Sequence, residues 1–549
     1  MTNPPAASHR ALKPIASVAR EFGLADEDFE PFGRSKAKIE REFLWRSLTR
    51  EPAGKLVLVT AVSPTPTGIG KTTTSIGLGD ALNRLGKRTA ICLREPSLGP
   101  CFGTKGAATG GGLSRIVPAD DINLHLTGDI HAVGAANNLL AALLENHFYW
   151  GNALGMDPDR VVWRRALDVA DRALRHTKLV ANPTDGPRPR GFDLTAASEV
   201  MAILCLAGSS QDLERRLSNV VVAYDRTGTP VTARDLGAHH AMKALLKDAV
   251  RPNLVQTLEG NPVLVHGGSF ANVAHGCSSV IATRLGLSMS DYVVTEAGSG
   301  SDLGAEKFFN IKCRQSGLRP DLAVVVTTVH ALRFHGGVRD GELAFPHPQA
   351  VQRGAQNLLQ HIWRIRKFGV PTVVAINHFD SDAADAIEII QRACQTFGVA
   401  AVVSRHWIEG GSGAEALAEA VISTIDRAPS KFNLLYPDEW SLFQKIETVA
   451  REIHGANRVR LSDEAAAQLE NIETLGYGRL PVCIAKTQYA DPTGRDPEAL
   501  DVRDVWLAAG AEFVVAVCGP VMTMPGLPRR PPALDVRMTE EGMVTGPSW

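Results

Sequence analysis

The chain has 549 residues, more than the roughly 250 to 300 at which a single hydrophobic core stops growing, so we expect two or three domains. Apolar residues make up 44% and charged residues 21%, proportions that are typical of a globular enzyme and exclude a disordered or fibrous chain. The 58 basic and 59 acidic residues leave a formal net charge of -1, which predicts no binding to nucleic acid or to an anionic membrane.

Cysteine usage and hydropathy indicate the cellular compartment. The eight cysteines are scattered and form no close pair of the kind that binds a metal or carries redox chemistry. The N-terminal residues lack a long apolar segment, and nowhere do about 18 apolar residues follow one another, as a membrane span would require. We therefore predict a cytoplasmic protein with buried, reduced cysteines.

The most regular pattern begins near Lys55. Residues 56–62 form an apolar, β-branched run, which predicts a strand buried on both faces. A helical spacing of apolar residues starts at Thr72 and ends near Gly86, and Thr89–Leu93 predicts a second strand. The short connection predicts that these strands are parallel neighbours in a doubly wound α/β sheet.

A phosphate-binding loop lies between this first strand and its helix. It matches the Walker A pattern except that a threonine replaces the first glycine, and its predicted ATP-binding residues are Thr65, Pro66, Thr67, Gly68, Ile69, Gly70, Lys71 and Thr72. Backbone amides at a helix N-terminus wrap phosphates, the lysine neutralises the β- and γ-phosphates, and the hydroxyl of Thr72 faces Mg²⁺. The alternative is a glycine-rich turn with a surface lysine, but the flanking strand and helix favour nucleotide binding.

Two charged residues follow other predicted strands. Arg94 comes directly after Thr89–Leu93, where a guanidinium can hold a small oxyanion and a phosphoryl group by bidentate contacts. Glu296 ends the apolar run 292–295 and could accept a hydrogen bond from metal-bound water or bind the metal itself. The alternatives are a structural ion pair for Arg94 and an ordinary strand-end acid for Glu296.

The strand and helix pattern repeats toward the C-terminus. Further buried strands are predicted at residues 322–326, 372–376 and 399–404, with helices at 382–397 and 414–427. We predict an α/β fold with a P-loop NTPase-type, doubly wound, mainly parallel sheet and additional smaller α/β domains. The predicted domains are a nucleotide-binding domain at 1–365, a βαβα domain at 366–456 and a C-terminal α/β domain at 457–549.

Two aromatic residues follow the last two predicted strands. Phe379 comes after residues 372–376, and Trp407 comes after residues 399–404. If the strands are parallel neighbours, both rings leave the sheet at one edge, where they could sandwich a flat heterocycle such as a pterin. The alternative is that both rings pack into the domain core.

Five segments in fixed order carry a resemblance that covers almost the whole chain: TPTGIGKTTT, LREPSLGP, INLHLTGDIHAV, TEAGSGSDLGAEKF and MTMPGLP. Together they resemble formate–tetrahydrofolate ligase, also called formyltetrahydrofolate synthetase, an enzyme of one-carbon metabolism. The resemblance implies that MgATP phosphorylates formate to formyl phosphate, whose formyl group passes to N10 of tetrahydrofolate, giving 10-formyltetrahydrofolate, ADP and phosphate. It also implies a homotetramer and activation by a monovalent cation, K⁺ or NH₄⁺.

The resemblance assigns roles to individual residues. It implies that Lys71 and Arg94 are catalytic, with Arg94 on the formyl phosphate, which places that intermediate in domain 1–365. It implies that Phe379 and Trp407 bind the pterin, which makes 366–456 the folate-binding domain. The chain departs from the family at Ile69, where a glutamate is usual, and at Ser299 and Ser301, where phenylalanine and alanine are usual.

Two rival functions share the phosphate loop. One is another carboxylate-activating ATPase whose acyl phosphate is captured by a different amine, and the other is a partition or assembly ATPase in which hydrolysis only switches partner binding. The rivals differ from the ligase in a testable way, because neither requires both formate and a folate.

Overall fold

The structure is a computed structural model that describes residues 12–66, 68–103, 108–179, 188–343, 345–486, 498–540, 542 and 544–546. The strands are β1 (Phe29–Phe32), β2 (Lys36–Ile39), β3 (Lys55–Ala61), β4 (Thr89–Leu93), β5 (Gly110–Gly111), β6 (Ser114–Val117), β7 (Met156–Val161), β8 (Arg165–Leu167), β9 (Thr177–Leu179), β10 (Arg188–Arg190), β11 (Phe192–Leu194), β12 (Val221–Asp225), β13 (Pro230–Thr232), β14 (Asn253–Thr257), β15 (Pro262–Val265), β16 (Tyr292–Glu296), β17 (Leu322–Thr327), β18 (Thr372–Asn377), β19 (Ala401–Ser404), β20 (Arg458–Leu461), β21 (Val482–Lys486), β22 (Ala499–Val502), β23 (Asp504–Ala508), β24 (Phe513–Cys518), β25 (Arg537–Met538) and β26 (Val544–Thr545).

The α-helices are α1 (Ile15–Glu21), α2 (Arg41–Leu48), α3 (Lys71–Arg84), α4 (Leu98–Phe102), α5 (Ala119–Asn123), α6 (Asp129–Tyr149), α7 (Glu199–Leu206), α8 (Ser210–Ser218), α9 (His239–Leu245), α10 (Val280–Met289), α11 (Arg314–Ser316), α12 (Val329–His335), α13 (Pro348–Lys367), α14 (Ala384–Thr396), α15 (His406–Glu409), α16 (Glu415–Arg427), α17 (Leu442–Val449) and α18 (Asp463–Ile472). None of the helices within the described ranges has both the length and the apolar character that crossing a membrane requires.

One large sheet organises the molecule. Its strand order is β1-β2-β14-β15-β4-β16-β3-β17-β18-β19, and β15 and all the strands after it in this order run parallel to one another. Strands β3, β4 and β16 to β18 are buried along almost their whole length, which explains their continuous apolar runs. The prediction of a mixed α/β fold with a mainly parallel sheet is confirmed.

The predicted pairing of the first two parallel strands was wrong. β3 and β4 do run parallel, but β16 lies between them and hydrogen-bonds to both. β16 comes much later in the sequence than β3 and β4, yet it lies between them. The neighbours of a strand are decided by the packing of the whole sheet and not by sequence order alone. The insertion places Glu296, at the end of β16, between the phosphate loop and Arg94.

The predicted strands and helices agree with the structure to within a few residues. Strands β18 and β19, predicted to lie in a domain at 366–456, continue the large sheet beyond β17. The C-terminal region contains its own sheet of β21, β24 and β23, in which β21 and β24 run parallel. The boundaries at 365/366 and 456/457 stay a prediction.

All eight cysteines are buried and free, as expected for small apolar side chains in a reduced protein. Burial also raises the pKa of several of these thiols, for example that of Cys92 to about 12, so they are poor nucleophiles. They therefore contribute to packing rather than to chemistry.

Candidate active site

A cavity of about 550 Å³ lies at the carboxyl edge of the large sheet. One part of its lining comes from the segments that follow β3, β4 and β16, and a second part comes from Lys486 at the end of β21 and from residues 520–522, 525 and 526 beyond β24. The carboxyl ends of parallel strands in two different sheets therefore face one cavity. Open parallel sheets bind ligands at this edge, and the size suits a nucleotide or another substrate of similar bulk.

The phosphate loop leaves β3 at this edge and ends at the first residue of α3. Gly68 and Gly70 have φ values of 77° and 84°, in the left-handed region that glycine adopts without strain. A Cβ on Gly70 would lie 2.4 Å from Nδ2 of Asn377, which itself donates a hydrogen bond of 3.1 Å to the carbonyl of Ile69. The loop thus needs glycine at position 70 for conformation and for space.

Within the predicted loop, the structure places Gly70, Lys71 and Thr72 in the wall of the cavity. Thr65 is buried and its carbonyl accepts from the amide of Gly68 at 3.1 Å, while Pro66 is exposed. Thr67 lies outside the described residues. The N-terminal end of α3, which carries the positive end of the helix dipole, therefore borders the cavity, as an anion site requires.

A hydrogen-bonded hydroxyl and carboxylate lie beside the first turn of α3. The hydroxyl of Thr72 donates a hydrogen bond of 2.8 Å to Oε2 of Glu296, and both residues line the cavity. In nucleotide sites, Mg²⁺ is coordinated by hydroxyl and carboxylate oxygens, or its bound water donates hydrogen bonds to them. The insertion of β16 between β3 and β4 makes this contact possible.

Arg94 follows β4 on the other side of Glu296. Its Nη1 donates a hydrogen bond of 3.1 Å to the carbonyl of Ser269, and its buried Nε has no hydrogen-bond partner in the described part of the chain. A Cβ on Gly298 would lie 3.2 Å from the guanidinium, so a glycine there allows the segment after β16 to approach the arginine closely. Since a guanidinium carries five N–H donors, Arg94 keeps donors for an anion in the cavity.

Phe379 and Trp407 follow β18 and β19 and are both half-buried. Neither ring is among the described residues that line the cavity. Trp407 packs against the turn between β5 and β6, where a Cβ on Gly111 would lie 2.3 Å from its ring and its carbonyl accepts from the amide of Leu113 at 2.9 Å. The structure thus places both residues beyond the same sheet edge, and their role toward a pterin stays a prediction.

Comparison with known proteins decides the family. The family model described as formate–tetrahydrofolate ligase matches residues 2–548. The chain is 55% identical over 544 residues to a formate–tetrahydrofolate ligase of Maricaulis maris, covering 97% of this chain and 98% of the relative. It is 55% identical over 541 residues to the enzyme of that name from Paracoccus denitrificans, covering 97% of each chain. This chain belongs to the formate–tetrahydrofolate ligase family. It is therefore a ligase enzyme.

The departures from the usual formate–tetrahydrofolate ligase pattern occupy defined positions. Ile69 is buried in the phosphate loop. Ser299 lines the cavity with φ of 62°, a left-handed conformation that costs a non-glycine residue of order 1 kcal/mol and clusters at functional sites. Ser301 is buried, and its Oγ lies 2.7 Å from Nδ1 of His361, whose Nε2 lies 3.0 Å from Oγ of Ser63. In this ligase, Ser301 thus joins a hydrogen-bonded chain that reaches the end of β3.

Sequence reasoning missed Glu95, which lines the cavity next to Arg94 and is buried. Burial raises the pKa of this carboxyl well above its usual value, nearby Asp129 raises it further, and Lys38 opposes both effects. Lys38 forms a buried ion pair of 2.8 Å with Asp129, while Oε2 of Glu95 has no hydrogen-bond partner among the described residues. Its position directly after Arg94, at the same strand end, was the signal that could have identified it.

Proposed function

We propose that this enzyme joins formate to tetrahydrofolate at the expense of ATP, giving 10-formyltetrahydrofolate, ADP and phosphate through formyl phosphate, on a P-loop NTPase-type fold. One observation carries the proposal: in a chain of this family, the end of the phosphate loop at residues 70–72, Glu296 and Arg94 all line one cavity. Formate is a resonance-stabilised anion and a poor electrophile, so phosphorylation is the step that makes it reactive.

The nucleotide binds with its phosphates on the first turn of α3. Lys71 neutralises the β- and γ-phosphates, and the Thr72 hydroxyl and the Glu296 carboxylate would hold Mg²⁺ directly or through its water. The metal supplies charge neutralisation on the β- and γ-phosphate oxygens when it is bound. The large sheet holds these residues in place before the substrate binds. They therefore need no rearrangement when charge develops in the transition state, which stabilises it relative to the ground state.

Arg94 holds formate in line with the γ-phosphate. A formate oxygen attacks the γ-phosphorus as its bond to the ADP oxygen breaks, and the guanidinium stabilises the equatorial phosphoryl oxygens. N10 of tetrahydrofolate then attacks the formyl carbon, the bond from that carbon to the phosphate oxygen breaks, and N10 loses its proton. Phe379 and Trp407 hold the pterin within 366–456, and residues 1–365 hold the nucleotide and formyl phosphate.

A monovalent cation, K⁺ or NH₄⁺, fits beside Glu95. The partnerless Oε2 of this buried carboxylate is a ready oxygen ligand, and a cation there would offset the burial and the repulsion by Asp129 that raise its pKa. We further propose a cytoplasmic homotetramer.

Product formation should require both substrates. Purified protein with MgATP and K⁺ is given formate, tetrahydrofolate, both or neither, while ADP is measured and the formylated folate is followed by absorbance after acid conversion. We expect ADP and product together only when both substrates are present, because the acyl phosphate is captured by the amine. ADP release that depends on neither formate nor tetrahydrofolate would favour the switch ATPase. ADP release that depends on formate, with no formylated folate formed, would favour another carboxylate-activating ATPase.

The Trp407→Ala variant should raise the KM for tetrahydrofolate by about 3- to 10-fold and leave that for ATP within about twofold, since one stacked ring contributes roughly 0.5 to 1.5 kcal/mol beyond its buried area. Trp407→Phe should retain most of the affinity. Trp363→Ala, which removes an exposed indole under Lys367, is the control. Equal changes in both KM values would mean that Trp407 acts only through its packing on Gly111.

A further inference from the structure

A cluster of charged and polar side chains lies next to the cavity, and the reaction proposed above assigns it no role. Asp302 belongs to the π-helical turn Ser301–Ala305, His361 and Arg364 to α13, His454 to the turn Ala450–His454, and Lys486 to the end of β21. We call these five residues the Asp302 cluster. It lies where the large sheet meets the C-terminal sheet, and one of its members, Lys486, lines the cavity.

The Asp302 cluster contains one acidic and two basic side chains besides its two histidines. Burial by itself would raise the pKa of Asp302, but the positive charges of Lys486 and Arg364 more than offset this and hold it below its usual value, so the carboxylate is ionised. Burial lowers the pKa of His361 to about 3 and that of His454 well below its usual value, so both are neutral. Within the cluster, one carboxylate therefore lies among two basic side chains, Arg364 and Lys486, although burial lowers the pKa of Lys486.

Lys486 is the member of the cluster that lines the cavity. Its Nζ lies 4.0 Å from Oδ2 of Asp302, a distance that attracts but is too long for a hydrogen bond. It makes no hydrogen bond within the part of the chain that the structure describes, and 28% of its side chain is exposed. The ammonium group, with three donors, is therefore available to an anion in the cavity.

Two glycines just before Asp302 connect it to the segment that approaches Arg94. A Cβ on Gly300 would lie 2.7 Å from Oδ1 of Asp302. Two residues earlier, a Cβ on Gly298 would lie 3.2 Å from the Arg94 guanidinium. The short segment after Glu296 thus lies close to Arg94 at Gly298 and close to Asp302 at Gly300. We propose that Lys486 binds the phosphoryl group that moves from ATP to formate, and that Asp302 positions it, an inference that rests on the proposed function.

The chemistry suits a lysine in this place. A phosphoryl group in transfer carries charge on three equatorial oxygens, and cations on one side of it leave part of that charge uncovered. Lys71 and Arg94 follow strands of the large sheet, whereas Lys486 ends a strand of the C-terminal sheet. Lys486 therefore brings a third cation to the same cavity from a different part of the fold. A compact ammonium on a flexible stem can follow the phosphorus as it moves from the ADP oxygen to the formate oxygen, which a rigid guanidinium fork does less well.

The test is Lys486→Met in the full-length enzyme with MgATP, K⁺, formate and tetrahydrofolate. We expect kcat to fall by about 100-fold, as for the loss of one preorganised donor to a developing charge, with the KM for tetrahydrofolate within about twofold. Calorimetry should give an unchanged ADP affinity, because ADP lacks the transferred phosphoryl group, and a weaker affinity for a non-hydrolysable ATP analogue. Lys486→Arg should recover at least about a tenth of the lost activity, because the charge is restored.

Two further variants separate positioning from folding. Asp302→Asn should lower kcat by about 10-fold, and the double variant with Lys486→Met should be no worse than Lys486→Met alone, because the two residues act as one unit. Lys367→Met is the matched control, since this lysine pairs with Glu452 at 2.8 Å across the same junction but does not line the cavity. Its kinetics should match those of the wild type.

The outcomes distinguish this inference from the proposed function. A wild-type enzyme that makes product without consuming ATP would refute the proposed function before any variant is compared. With an active wild type, a kcat for Lys486→Met within about threefold of normal would overturn the inference. A raised KM for tetrahydrofolate with normal kcat would also overturn it, because Lys486 would then bind a folate carboxylate. An ADP affinity that falls as much as that for the ATP analogue would mean a general effect on the nucleotide site.

Discussion

The Arg94→Ala variant is expected to lose formyl transfer by about 1,000-fold or more while binding ADP and ATP almost normally. The guanidinium lies after β4, separated from the phosphate loop by β16, and its Nη1 is anchored to the carbonyl of Ser269 at 3.1 Å. In the proposed function it acts on formate and the moving phosphoryl group rather than on the bound nucleotide. The measurement is kcat for product formation, with nucleotide affinity from calorimetry.

Arg88→Ala is the matched control for this variant. Arg88 lies at the amino end of the same strand, is mostly exposed and pairs with Asp291 at 2.7 Å. Exposed pairs of this kind contribute little, so activity should stay within about twofold of normal. A loss of nucleotide binding by Arg94→Ala equal to its loss of activity would move Arg94 from the formate site to the nucleotide site.

The Lys71→Met variant should combine two losses. Lys71 is the first residue of α3, so its charge and the helix N-terminus act on the same phosphates. We expect ATP affinity to fall by about 10-fold or more and kcat by about 1,000-fold or more, because the proposed role of the lysine is to contact the γ-phosphate both before and during transfer. Titration with ATP and single-turnover product formation would measure the two losses separately.

Lys55→Met provides the comparison for Lys71→Met. Lys55 begins β3 at the opposite end of the strand and pairs with Asp321 at 3.2 Å. Its loss should leave ATP affinity and kcat unchanged, because the amino edge of a parallel sheet is far from the site at the carboxyl edge. Normal kcat at saturating ATP in Lys71→Met would restrict this lysine to ground-state binding of the nucleotide.

Local patterns in the sequence were enough to predict the first wall of the cavity. A continuous apolar run predicts a buried strand wherever both faces are covered, and the glycine pattern between β3 and α3 specifies a loop with left-handed residues. Arg94 and Glu296 were found because a residue that directly ends a parallel strand must lie at the ligand-binding edge. Each of these inferences depends on neighbours a few positions apart.

The second wall and the strand order depend on contacts between distant segments. Nothing near β3 or β4 in sequence indicates that Tyr292–Glu296 inserts between them. Lys486 and Asp302 approach each other only because two sheets meet, and a lysine at the end of a short strand has no local feature that separates it from a surface lysine. Pairings of high sequence separation are decided by the whole packed core, so local propensity cannot predict them.

The position of β16 also affects how the protein is made. During synthesis, β3 and β4 leave the ribosome long before the strand that separates them, so their edges are exposed to each other and to other nascent chains. A βαβ unit that closed by direct pairing of these two strands would have to reopen to admit β16. The last part of the cavity wall, at Gly526, is translated only near the end of the 549 residues. Assembly of the candidate cavity therefore requires the C-terminal sheet, and polypeptides truncated before Gly526 are expected to lack part of its wall, to depend on chaperones and to be inactive.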